Sequence, residues 1–371
     1  MRIALLAPLV SPIAPPFLGG AQAMLYDLAQ SLNDHGHDVT LYAADGSDVP
    51  GVRVVHTRID PAALASYQVQ PQQTVANTTN PDATPIARAF AHVYDLIARN
   101  AGEHDIVHAH AYDWAAFAYA RRQPLPVVHT LHLPALDPQI LDALATPTPT
   151  HAAPMRLVTV SRSCAETYAP RVRIDAVIYN GVDTSRIPAN LIWGATYYLL
   201  YAGRISPEKG VFDAIRIASR AKRSLIIAGP IYDQAYFDER VVPSLDRTET
   251  GVTYFGAVTR ERLWDLMANA EALLCPVQWD EPFGLTACEA QATGTPVIGY
   301  ARGGLREVVD SGRTGWLVAP GDINQAAEAV GQAQRLDRQV CREWIERRFS
   351  LDMMTEAYLR FYDETLHMSR V

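Results

Sequence analysis

The chain has 371 residues, of which 49% are hydrophobic and 19% charged, and its formal net charge is -8. A single core stops growing at about 250 to 300 residues, so two domains are expected. The acidic balance offers no basic excess for a phosphate backbone, which speaks against a nucleic-acid partner, and no run reaches the ~20 apolar residues of a transmembrane segment.

The first residues, 1–8, carry a short apolar run that reads as a buried strand and not as a signal peptide. Cys164, Cys275, Cys288 and Cys341 are scattered, with no CxxC pair, which fits a reducing compartment. A cytoplasmic location is expected, with peripheral attachment to a membrane left open.

Short apolar runs, each followed by a stretch of helical period, recur along the whole chain and predict an α/β protein with parallel sheets. In the first half the strands are expected at 3–7, 39–43, 52–56, 106–110, 127–131 and 157–161, the last leading into a helix capped by Ser161 or Ser163. After the first strand come Gly19 and Gly20, entering a helix where missing side chains let a ligand approach closely. A plain turn explains the pair nearly as well, and the absence of GxGxxG weakens a dehydrogenase assignment. His108-Ala-His110 and His129-Thr-Leu-His132 end two predicted strands and should face a crevice, since open α/β sheets bind ligands there. As metal ligands they form a thin set, and a hydrogen-bonding role for His108, His110 and His129 fits better. Two stretches, 61–85 and 146–154, read as long loops.

Asn180-Gly-Val-Asp183 reads as the linker. The second series of strands is expected at 197–202, 224–228, 252–255, 272–276, 296–300 and 315–318, with 191–198 irregular. Between a strand and a helix lies Gly203-Arg204-Ile-Ser-Pro-Glu-Lys209-Gly210, whose two cations suit a diphosphate leaving group. A basic loop is more often simply solvated, and this one lacks the Walker spacing. Glu281-Pro-Phe-Gly-Leu-Thr-Ala-Cys-Glu289 places a Gly-containing turn and a helix start between two carboxylates. Backbone N–H groups at Gly284 and Leu285 would receive a diphosphate, with Glu281 on sugar hydroxyls and Glu289 on a ribose diol. At ~1.5 Å per helical residue, the two carboxylates would stand roughly 12 Å apart, with Glu289 about two turns in. The closing segment, 351–367, is amphipathic, with Met353, Ala357, Phe361 and Leu366 near one face.

Taken in order, these motifs resemble glycosyltransferase family 4, whose members are retaining GT-B enzymes, and the resemblance spans nearly the whole chain. It implies a GT-B fold: two Rossmann-like domains whose parallel sheets face an interdomain cleft. The acceptor domain would be 1–182, completed by the C-terminal helix 351–371, and the nucleotide-sugar donor domain 183–350. Arg204 and Lys209 would bind the donor diphosphate, Glu281 and the backbone of Phe283, Gly284 and Leu285 the sugar and phosphate, and Glu289 the ribose. His132 would lie beside the transferred sugar and Gly20 near the phosphates. Thus His132, Glu281, Arg204 and Lys209 are the expected catalytic residues.

The resemblance further implies hexosyl transfer with retention and no metal or other cofactor, since fixed cations and helix starts supply the electrostatics. Same-face attack within a short-lived ion pair is the favoured route, a donor phosphate oxygen taking the acceptor's proton. The partners implied are a nucleotide-sugar donor and a small-molecule, glycan or lipid-linked acceptor. UDP is slightly preferred over GDP or ADP, and oligomeric state is left open. Three alternatives share the fold: a sugar-nucleotide epimerase needing no acceptor, a glycoside phosphorylase needing phosphate, and a non-catalytic binder that leaves the donor intact.

Overall fold

A computed structural model describes residues 1–17, 19–59, 64, 84–148, 153–193, 198–245 and 251–369. Most of the expected loop 61–85 and the centre of 146–154 lie outside these residues, as do 194–197 of the irregular stretch 191–198. The chain divides into two compact units, Met1–Tyr179 with Met354–Val371, and Asn180–Met353.

In the first unit, seven strands form one parallel sheet: β1 (Arg2–Leu6), β2 (Asp38–Ala43), β3 (Arg53–His56), β4 (Ile106–Ala109), β5 (Val127–Leu131), β6 (Met155–Thr159) and β7 (Ala176–Val177). Their order is β3-β2-β1-β4-β5-β6-β7. Strands β1, β4 and β5 are buried almost throughout, as continuous apolar runs covered by helices on both faces should be. The two-residue strand β7 lies in a short apolar run, 176–179, directly before the Asn180-Gly181 turn, and is not among the expected strands. One core joins β1 and β4 to the helix Pro85–Arg99 through Leu6, Val107, Phe90 and Ile97.

The second unit holds a six-stranded parallel sheet of β8 (Tyr198–Ala202), β9 (Ser224–Ala228), β10 (Val252–Gly256), β11 (Ala272–Cys275), β12 (Val297–Tyr300) and β13 (Gly315–Val318), in the order β10-β9-β8-β11-β12-β13. Its core packs Leu199, Ile227 and Leu274 of the sheet on Val211 and Ile215 of the helix Val211–Ala221. Both sheets therefore reverse their winding once, between β1 and β4 and between β8 and β11, and such switch points open a crevice at the carboxyl ends of the strands.

Helix starts fall into two groups. Thr84, Asp113, Asp137, Ser161, Thr259, Asp322 and Asp337 each cap a helix with a side-chain oxygen. Helices Gly20–Asp34, Val211–Ala221 and Leu285–Ala292 instead begin after Gly19, Gly210 and Gly284, with no side-chain cap. These three follow β1, β8 and β11, three of the four strands that flank the two switch points, so their amide ends stand at the crevices; the helix after β4 is capped by Asp113, and Leu305–Val308, after β12, also starts behind a glycine, Gly304, with no side-chain cap.

The C-terminal helix Leu351–Met368 differs from the expectation in its buried face. Met354, Thr355, Tyr358, Phe361, Tyr362 and Thr365 are buried, while Met353 is exposed. Scoring apolar residues alone misplaced the stripe by about one residue, because Tyr and Thr bury here with their hydroxyls hydrogen-bonded.

Candidate active site

In the second unit, the loop after β8 and the loop after β11 are tied together by Gln278 N–H donating to the Glu208 carbonyl at 2.8 Å. Gly210 makes the approach possible. Its φ is +74°, and a Cβ there would lie 1.9 Å from the Pro276 carbonyl oxygen, so both conformation and space require glycine. Gly284, at φ +101°, likewise turns the chain into its helix, with a Cβ position 2.7 Å from Leu305.

Between the loops lies a pocket of about 60 Å³, room for several waters, lined in part by Gly203, Lys209, Cys275, Glu281, Gly284 and Thr286. Lys209 Nζ donates to Glu281 Oε2 at 2.6 Å, and Trp279 Nε1 donates to the same oxygen at 2.7 Å. The ammonium also sits 5.0 Å from the centre of the Trp279 ring. Glu281 is thus a fixed, charge-paired carboxylate whose other oxygen remains for a hydroxyl ligand. Desolvation, with Glu281 adding to it, pushes the Cys275 thiol up to about 12, which leaves no thiolate to act as a nucleophile.

Lys209, Glu281 and Gly284 are therefore brought together. Arg204 follows Gly203 of the pocket wall, but its guanidinium lies over the Tyr232 ring at 4.5 Å and 3.8 Å from Glu208 Oε1. Phe283 is buried against Phe349, with ring centroids 5.8 Å apart, so its side chain serves the core and only its backbone is offered to a ligand. Leu285 opens the helix Leu285–Ala292.

Glu289 is the fifth residue of that helix, in its second turn and not two turns in. Half of the chain between Glu281 and Glu289 is therefore not helical, and the 12 Å estimate from helical rise does not apply to it. Glu289 is buried, and its Oε1 accepts from Arg260 Nε at 2.9 Å and from Trp264 Nε1 at 3.2 Å. Sequence reasoning missed Trp279, Arg260 and Trp264. Trp279, two residues before Glu281, carried a local signal as a polar aromatic beside a site carboxylate. Arg260 and Trp264 carried none, because they reach Glu289 only through packing of the helix Arg260–Ala268.

In the first unit, Gly20 is the exposed first residue of its helix. Three of the four histidines do not face an open crevice as expected, and only His132 is partly exposed. His108, His110 and His129 are buried, the first two on the face where the C-terminal helix lays Tyr358 and Tyr362 against His108, and His129 on the opposite face. Alternation along the strands sets their sides. On one face His108, His110, Thr130 and His132 meet, with His110 Nδ1 2.9 Å from His132 Nε2. On the other, His129 packs on Phe117 and donates from Nε2 to the Ala111 carbonyl at 2.6 Å. Burial pushes His129 down to about 4 and His132 to about 3, and holds His108 and His110 well below the ordinary imidazole value, so all four are neutral. Among the described residues no group of three His, Cys, Asp or Glu is placed to hold a metal ion, and no helix is long and apolar enough to cross a membrane.

Comparison with known proteins agrees with this fold. Residues 18–186 match the family model for glycosyltransferase family 4, and residues 185–348 that for glycosyl transferases group 1. Glycogen synthase of Mycobacterium tuberculosis is 31% identical over 353 residues, which cover 85% of this chain and 82% of that protein. D-inositol 3-phosphate glycosyltransferase of Mycolicibacterium smegmatis is 29% identical over 383 residues, 91% of this chain and 84% of its own. Among solved structures, sucrose-phosphate synthase of Thermosynechococcus elongatus shares the fold with a TM-score of 0.78 at 19% identity, over 100% of both chains.

Proposed function

Because the chain belongs to glycosyltransferase family 4 and has the GT-B fold, we propose that it is a retaining, metal-independent hexosyltransferase that moves a sugar from a nucleoside-diphosphate donor to a hydroxyl acceptor. The observation that carries this is the Lys209–Glu281–Trp279 constellation at the β8/β11 switch point, beside a helix start with no side-chain cap. A diphosphate at the Gly284–Leu285 amides would meet the positive end of the helix and the Lys209 ammonium. Charge growing on the departing phosphate is then neutralised by groups already fixed in place.

Glu281 is the one carboxylate lining the pocket among the described residues, and its pairing suits hydroxyl binding better than nucleophilic attack. This supports same-face transfer, in which the acceptor's proton passes to a donor phosphate oxygen as the new glycosidic bond forms. Arg204 would swing from Tyr232 onto the diphosphate, and Glu289 would take the ribose diol. The two relatives act, by their names, on glycogen and on an inositol phosphate. Their acceptors differ, so neither is carried over. UDP is the preferred nucleotide, and the cytoplasm the expected place of action.

Calorimetric titration without metal against UDP, GDP, ADP and dTDP tests the proposal, followed by acceptor-free hydrolysis of the matching nucleotide sugars. Binding of one nucleotide with slow sugar release supports a donor site. Binding of none, or a strict need for a divalent ion, would overturn it.

A further inference from the structure

Gln278, the third residue of the loop after β11, is exposed, yet its side chain folds back onto the protein. Its Nε2 donates to Asp213 Oδ2 at 3.0 Å and to the Pro276 carbonyl at 2.9 Å. Both neighbours only accept, so the amide nitrogen with its two hydrogens, and not the amide oxygen, must face them. An exposed glutamine gives up rotamer freedom to be held in this way, for bonds that water would also offer.

The partners it holds are themselves anchored. Asp213 lies in the helix Val211–Ala221, with its side chain 15% exposed. Its Oδ2 also accepts from Tyr300 Oη at 2.6 Å, and its Oδ1 from Arg216 at 3.2 Å. Tyr300 is the buried last residue of β12, and burial pushes its phenol up, so the hydroxyl keeps the proton it donates. The backbone N–H of Gln278 meanwhile grips the Glu208 carbonyl at 2.8 Å, and Glu208 is buried with its Oε1 accepting from Ser206 Oγ at 2.7 Å.

This circuit closes on the immediate neighbours of the site. Lys209 follows Glu208, and Trp279 follows Gln278. Their side chains must converge on one oxygen, Glu281 Oε2, at 2.6 and 2.7 Å. Drift of either loop would break that convergence, and Gln278 is bonded through its backbone to one side of the Lys209 loop and through its side chain to the other.

We propose that Gln278 is a positioning residue: through the Glu208 carbonyl and Asp213 it holds Lys209 and Trp279 in register on Glu281 Oε2, leaving Oε1 to face the sugar. The consequence for transfer rests on the proposed function. The register itself does not.

The test is a set of 1H–15N correlation spectra of the tryptophan indoles in the full chain, without ligand, with Trp279 identified by its loss in Trp279→Phe. Trp193 and Trp344, whose indoles donate to the Leu336 and Val308 carbonyls, serve as references in the same unit. In the wild type the Trp279 proton should lie downfield of both, because its acceptor is charged. Gln278→Leu keeps the backbone N–H but loses both side-chain bonds, so Trp279 should move upfield while the references stay in place. Gln278→Glu sets a carboxylate against Asp213 and the Pro276 carbonyl and should move it further. Asp213→Ala should reproduce Gln278→Leu, and combining the two should add little, because each acts through the other. With the nucleotide sugar that the protein hydrolyses, Gln278→Leu should lower kcat about tenfold and change KM by less than about threefold.

Thermal unfolding shows whether each variant is folded, and if Asp213→Ala is not, the two Gln278 variants decide alone. A folded Gln278→Leu with an unmoved Trp279 indole would overturn the inference. So would equal movement of all three indoles, or failure of Gln278→Leu to fold, since either makes Gln278 a general support of the unit. A moved indole in a protein that turns over no nucleotide sugar counts against the proposed function alone, and an unmoved one in an active enzyme counts against this inference alone. A moved indole with unchanged kcat in an active enzyme keeps the register and overturns its consequence for transfer.

Discussion

Lys209 and Glu281 come from loops 72 residues apart, yet the ammonium donates to Glu281 Oε2 at 2.6 Å, and the same oxygen receives the Trp279 indole. The side chains are 19% and 17% exposed, so the pair is partly withdrawn from water without being sealed from a ligand. That combination separates binding from folding. Lys209→Ala should lower kcat by about 10² to 10³, the scale of one preorganised electrostatic group, because no other cation lines the pocket among the described residues. Trp279 still holds Glu281, so stability should fall by only about 1 kcal/mol. Steady-state kinetics beside urea unfolding check this, and full activity in the folded variant would remove Lys209 from the phosphate.

Glu289 offers a different balance. Arg260 and Trp264 both occupy its Oε1, and Oε2 has no hydrogen-bond partner among the described residues, so one oxygen remains for a ribose diol. Glu289→Ala should weaken nucleotide affinity roughly tenfold, about 1.4 kcal/mol. Calorimetry on the folded variant reads this directly. An unchanged Kd would confine Glu289 to holding the helix Arg260–Ala268.

Gly210 supplies a steric prediction. With φ at +74° and the Pro276 carbonyl where its Cβ would go, Gly210→Ala must move either the Lys209 loop or the loop after β11. A loss of about 2 kcal/mol or more in stability is expected, with a loss of activity beyond it as Lys209 leaves Glu281. Near-wild-type melting and turnover would show that the two loops need not approach so closely.

Acid should destabilise the protein. His129 and His132 take protons near pH 6.5 when unfolded but only near about 4 and about 3 when folded, and His108 and His110 shift the same way. The unfolded chain therefore binds more protons as pH falls below 6.5, and stability is lost through that window. Asp113 opposes this, since desolvation raises it to about 6 and its folded form holds a proton that the unfolded form releases near 3.8. Four histidines outweigh one carboxyl, so the urea midpoint should drop from about pH 7 to about pH 5. A flat or rising midpoint would mean that the histidines are not desolvated as the structure has them.

The sequence alone determined what is local. Twelve strands could be placed from short apolar runs, and a helix cap narrowed to Ser161 or Ser163, because burial on both faces and capping leave their marks within a few residues. The loops bearing Gly19, Arg204, Lys209, Glu281 and Gly284 were legible for the same reason: each follows a strand and opens a helix or the turn before one. Two-residue β7 was missed and the buried face of the C-terminal helix misread, since one is a short pairing that abuts the linker and the other buries hydroxyls. Only the tertiary structure decided the partners. Strand order, not spacing, brings the Lys209 loop beside the Glu281 loop at the β8/β11 switch point. Helix packing, not motif, gives Glu289 its Arg260, and Tyr362 reaches His108 across 254 residues of chain. A residue's periodicity reports which face it buries. What it meets there depends on which elements the sheet has placed side by side, and that is a property of the whole chain.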